Sequence, residues 1–109
     1  MERAPVELEL TETELVGSFY GKSWGLELAD IRSAELLQEL PKMTRVKGMG
    51  MSNALTGNFR SSELGTIICC VDPRSGPWLL VTREDGQLYL FGASTQGAAE
   101  EVLLALGLI

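Results

Sequence analysis

Asp30-Ile31-Arg32-Ser33-Ala34-Glu35-Leu36-Leu37-Gln38-Glu39-Leu40 is the stretch on which the fold turns. Read locally it is a helix of about ten residues. Asp30 is a good N-cap, and Ile31, Ala34, Leu37 and Leu40 recur at helical spacing. The competing reading is a tight turn at Ala29-Asp30-Ile31 that feeds a strand over Arg32 to Leu37. Local propensity favours the helix, so the decision falls to the surroundings.

Upstream, every apolar segment has strand character. Val6-Glu7-Leu8-Glu9-Leu10 alternates strictly, with Val6, Leu8 and Leu10 on one face and the two acids on the other. Thr11 to Glu14 is polar, either a turn or a continuation with its threonines in strand-compatible positions. Leu15 to Tyr20 is a second strand, Gly21-Lys22-Ser23 a turn, and Trp24, Leu26 and Leu28 mark a third strand.

Downstream, Pro41 stops whatever precedes it. Pro41 to Arg60 holds Gly48, Gly50 and Gly57 and reads as a glycine-rich loop, a connection between two halves of the fold. Gly65 to Val71 is an apolar, β-rich run suited to a central strand. Asp72-Pro73-Arg74-Ser75-Gly76-Pro77 is a dense turn signal. Trp78 to Thr82 and Gln87 to Phe91 are strands joined by an Asp85-Gly86 hairpin turn. Ser94 or Thr95 caps a last helix, Gln96 to Leu106, whose Ala99, Val102, Leu103 and Leu106 share one face. Glu100 and Glu101 suit its N-terminal half, and Gly107 is a natural stop. The pattern predicts one domain over residues 1–109: mainly β with one C-terminal helix, in a small antiparallel sandwich or partly open barrel that the helix plugs.

Composition narrows the function. The 109 residues are 45% apolar and 22% charged, as in ordinary globular proteins. A net charge of -6 disfavours nucleic acid as a partner. There is no His, so the commonest general base and the commonest zinc ligand are both missing. Cys69 and Cys70 are adjacent. In a strand they point to opposite faces, which disfavours a disulfide between them and suits a reducing, cytoplasmic setting. With no base nearby they read as core residues rather than nucleophiles. No catalytic residue, metal ligand or cofactor is expected. Gly48-Met49-Gly50 starts a G-x-G, but Asn53 stands where a dinucleotide fingerprint needs its third glycine, and no phosphate-loop lysine follows. Met1 to Pro5 offers no apolar region of a secretory signal, and no apolar run reaches the roughly 18 residues of a membrane span.

Charge is distributed in blocks. Nine acids and three bases precede Pro41, and six acids and two bases follow Ser62. Between those points there are only bases: Lys42, Arg45, Lys47 and Arg60. A solvated basic loop is the plain reading, and attraction for an anionic partner the sharper one. Met43, Val46, Met49, Met51 and Leu55 lie among them. Methionine adapts to irregular surfaces, so these side chains either meet a partner or fold back over an open sheet. The candidate binding residues are Lys42, Arg45, Lys47, Met49, Met51 and Arg60.

Leu28 to Pro41 resembles the D-I-x-S-V-E-L-L-x-E-L-P segment of bacterial pleckstrin-homology-like (PH-like) domains. Arg45-Val46-Lys47-Gly48-Met49-Gly50, Gly57-Asn58-Phe59-Arg60 and Pro77 to Thr82 follow in the order of that family. The resemblance implies two nearly orthogonal antiparallel sheets and a C-terminal helix. It also implies a strand over Arg32 to Leu37, against local propensity, and we adopt it; Ala34 stands where the family usually has a β-branched residue. The resemblance carries no catalytic residues. Charge inversion and methionine content in 42–60 lead us to expect a binding or assembly module, with a protein partner or self-association. Anionic lipid head groups are the alternative ligand, reached through the basic 42–60 segment. Eukaryotic pleckstrin-homology domains that bind phosphoinositides carry basic residues in the loop between the first two strands, where this chain has Thr11-Glu12-Thr13-Glu14. Members of the bacterial family often sit beside membrane spans, so a soluble domain of a membrane-attached protein is a second expectation for location.

Overall fold

The alternation of Val6–Leu10 becomes strand β1, paired antiparallel with β2 (Glu14–Phe19), which pairs with β3 (Lys22–Glu27). The computed structural model describes residues 6–19, 22–51, 54–72, 77–92 and 96–105, and the side chains of all of these but 6, 7, 19, 49, 51, 54 and 96–99. Leu10, Leu15 and Leu26 fall on one line of the register and turn inward, while Glu9, Val16 and Gly25 share the outer face. Thr11 closes the first turn: its Oγ accepts hydrogen bonds from the Glu14 N–H at 2.9 Å and the Thr13 N–H at 3.3 Å. The Leu28 N–H donates to the Thr13 carbonyl at 2.9 Å, so this acidic turn is tied to the end of β3.

A 3-10 turn, Leu28–Asp30, then leads into β4, Ile31–Leu37. The decisive stretch is a strand. Glu35, Leu36 and Leu37 pair with Leu80, Leu79 and Trp78 of β8 (Trp78–Arg83). Leu36 meets the apolar cluster on one face of the sheet and Leu37 the cluster on the other. Burial on two sides outweighs a helix propensity that is worth only tenths of a kcal/mol per residue.

The remaining strands are β5 (Thr44–Met51), β6 (Ala54–Ser61), β7 (Gly65–Val71) and β9 (Leu88–Gly92), and the helix α1 spans Gln96–Ala105. They form a second sheet of six strands in the order β4-β8-β9-β7-β6-β5, separate from the first. The architecture is therefore mainly β, two sheets and one helix, with the sheets not closed into a barrel.

Both faces of the larger sheet are apolar. One face packs against the first sheet and the helix through Leu15, Leu26, Cys70, Leu79, Val81, Tyr89, Phe91, Val102 and Leu103. Gly17 of β2 sits directly over the Phe91 ring: a Cβ there would lie 2.5 Å from Phe91 Cδ1. The opposite face holds Phe59, Ile67, Cys69, Val71, Trp78, Leu80 and Leu90. It is covered by the segment that carries the chain from β4 to β5, which stand on opposite edges of the sheet. Five strand spacings are about 24 Å, close to the reach of an extended chain from residue 37 to residue 44. That segment must run straight across, and Leu40 and Met43 seal the cluster on the way.

Three expectations change. Thr44–Met51 and Ala54–Ser61 are strands rather than loop: β5 and β6 pair antiparallel over nearly their whole length as a hairpin. And one ladder departs from an all-antiparallel sheet. β9 runs parallel to β7 because it folds into the slot that the wide β7–β8 connection leaves open. The Trp78 indole N–H donates to the Asp72 carbonyl at 3.0 Å across that connection. Lys22 and Ser23, expected in a turn with Gly21, instead open β3, where they pair with Phe19 and Ser18. Gly21 itself, the turn signal at 73–76, the cap at Ser94 or Thr95, Leu106 and the stop at Gly107 lie outside the described residues.

Candidate binding hairpin

The β5–β6 hairpin carries the basic block. Arg45 and Lys47 lie on β5, Arg60 on β6, and Lys42 on the crossing segment; all four are exposed. Among the described residues none of them makes an ion pair. β5 is the outermost strand of its sheet, so its outer row of backbone groups has no strand partner among the described residues.

The register divides the basic set between two faces. Arg45 pairs with Phe59, so it lies on the face of the second apolar cluster. Lys47 pairs with Asn58 and Thr44 with Arg60, which places Lys47 and Arg60 together on the opposite face. The register shift between Arg45 and Lys47 leaves Val46 in a bulge, 60% exposed. Met43 folds back into the core, and its sulfur accepts the Cys69 S–H at 3.7 Å. Leu55 also packs inward. The side chains of Met49 and Met51 lie outside the described residues.

Gly48 and Gly57 face each other at the centre of the hairpin, with φ of 130° and 107°. A Cβ on Gly48 would run into the Thr56 carbonyl oxygen, and one on Gly57 would lie 2.5 Å from the Lys47 carbonyl oxygen. These glycines let two backbones close on each other.

Cys69 and Cys70 are buried on opposite faces of β7, each in a different cluster. Burial pushes both thiols up to about 12, and for Cys69 its neighbour's charge adds to the effect. At neutral pH neither supplies a thiolate.

A second grouping was not foreseen from the sequence. Asp30, Arg83, Glu84 and Asp85 line a depression of about 310 Å³ beside the β8–β9 turn. Arg83 grips the Asp85 carboxylate with both Nε and Nη2, at 3.0 and 2.7 Å, and donates from Nη1 to the Tyr89 hydroxyl at 2.8 Å. The Tyr89 ring lies 5.5 Å from the guanidinium and stacks on Phe91. The guanidinium is thus taken up in bracing the turn. The Arg83-x-Asp85-Gly86 spacing was the available signal. No group of three or more Cys, Asp or Glu able to hold a metal occurs among the described residues, and no helix among them is long and apolar enough to cross a membrane.

Searches for similar proteins among family models, curated proteins and solved structures found no match for this chain.

Proposed function

We propose that this chain is a PH-like binding or assembly module without a catalytic role, and that the β5–β6 hairpin is its contact surface for a protein partner. The observation that carries the reading is the state of β5. An edge strand with exposed Arg45 and Lys47, unpaired among the described residues, adjoins a 22-residue stretch free of acids. An extended acidic segment laid along such an edge gains backbone hydrogen bonds and charge pairing together.

A second reading is favoured by Val46. An exposed apolar residue between two bases is also what an anionic lipid surface engages.

The two separate in one set of titrations. A short peptide of alternating Glu and Val is expected to shift the backbone amide resonances of residues 42–60. The double variant Arg45→Glu/Lys47→Glu is expected to lose those shifts. Phosphatidylserine vesicles are the comparison. Flotation with vesicles at low salt, with no response to the peptide, would transfer the hairpin to the lipid reading. No response to either sinks it as a contact surface.

A further inference from the structure

Among the described residues the two sheets have four edge strands, and their charges differ in kind. β3 ends its sheet with both Lys22 and Glu27, and β4 ends the other with both Arg32 and Glu35. The other two edges have one sign each. β1 carries two acids in five residues, Glu7 and Glu9, and no base. β5 carries Arg45 and Lys47 and no acid. Beyond β1, the outer face of the first sheet adds exposed Glu14 and Glu27, paired directly across from each other. The molecule is therefore acidic along one free edge and basic along another, on different sheets.

Resting on the reading of the hairpin as a contact surface, we propose that its partner is a second copy of this chain: the acidic β1 edge of one molecule adds antiparallel to the basic β5 edge of the next. Like charges placed opposite each other on paired strands oppose association, so β5 repels β5 and β1 repels β1. The same charges attract only in the mixed pairing, which makes each edge a guard against its own kind and a match for the other. Setting Glu9 opposite Lys47 brings Leu10 level with Val46, an exposed large apolar residue of the hairpin, and Leu8 level with Gly48. The contact is head to tail. Each added molecule offers a fresh β1 and a fresh β5, so association proceeds in steps with concentration.

Sedimentation equilibrium of the full chain tests this at about 0.01 M and about 1 M salt, where the Debye length is about 30 and 3 Å. The weight-average mass is expected to rise with concentration at low salt and to fall back towards the monomer at high salt. Glu9→Lys and Lys47→Glu alter exposed positions, and each alone is expected to weaken association at least about tenfold. Mixing the two variants restores it, because the intact β5 of one meets the intact β1 of the other. A wild-type chain that stays monomeric at low salt overturns the proposal. So does a Glu9→Lys chain that associates like the wild type, or a mixture that stays monomeric. If the hairpin still responds to the Glu/Val peptide in any of these cases, self-pairing alone has failed and the contact surface stands.

Discussion

Gly48 and Gly57 show how much a single hairpin pair decides. Both sit at positive φ, a region that costs a side chain roughly 1–2 kcal/mol, and each would drive a Cβ into the backbone of the facing strand. Gly86 also has positive φ but open space around it. The two penalties can therefore be told apart. Gly86→Ala is expected to cost about 1 kcal/mol, and Gly48→Ala about 2–4 kcal/mol, read from urea midpoints at unchanged slope. Equal costs at the two sites would mean that the close approach of β5 and β6 contributes nothing beyond the backbone angle.

Among the elements, the β8–β9 hairpin is held by charge, and its strength should follow pH. The Arg83 hydrogen bonds, followed by the Gln87 N–H at 3.0 Å, lower the Asp85 carboxyl from 3.8 to about 2. A carboxyl lowered in the folded state contributes stability that is present above 3.8 and lost as pH falls from there towards 2. Asp85→Asn is expected to lower stability at neutral pH and to flatten the acid limb of the stability curve in that window. An unchanged acid limb refutes the assignment. This turn was legible from Asp85-Gly86, as were β1, β2, β3, β7, β8, β9 and α1, because each owes its form to local periodicity or turn chemistry. β4 was legible only through a resemblance. Its residues fit a helix by spacing, and what makes them a strand is β8, some forty residues further on. The hairpin of β5 and β6 was misread for the opposite reason. Its glycines are loop signals when taken singly, and they become strand residues only because Gly48 stands opposite Gly57. The candidate site was legible only in part: charge inversion marked the segment, but the division of Arg45 from Lys47 and Arg60 depends on a bulge that composition does not reveal.

For the molecule as a whole, the governing feature is a six-stranded sheet buried on both faces, with β7 near its middle. Ile67, Cys69 and Val71 enter one core while Cys70 enters the other, so no local opening of one layer exposes both thiols. The continuous apolar run at 67–71 is the sequence expression of that double burial. It sets the behaviour in alkali. In the unfolded chain each thiol ionises near 9.0; in the folded chain burial holds the proton up to about 12. Between those values the folded state binds more protons than the unfolded one, so stability falls as pH rises. The slope is about 1.4 kcal/mol per pH unit for each thiol. Tyrosines and lysines titrate in the same range, so the comparison is with Cys69→Ala/Cys70→Ala, which keeps those groups. The double variant begins lower at neutral pH, since it leaves space in both cores. Its denaturant-derived stability is then expected to fall less steeply from pH 9 upward than that of the wild type. Parallel curves would mean that both thiols ionise in the folded molecule as readily as in the unfolded one, and with it that the larger sheet is not covered on both sides.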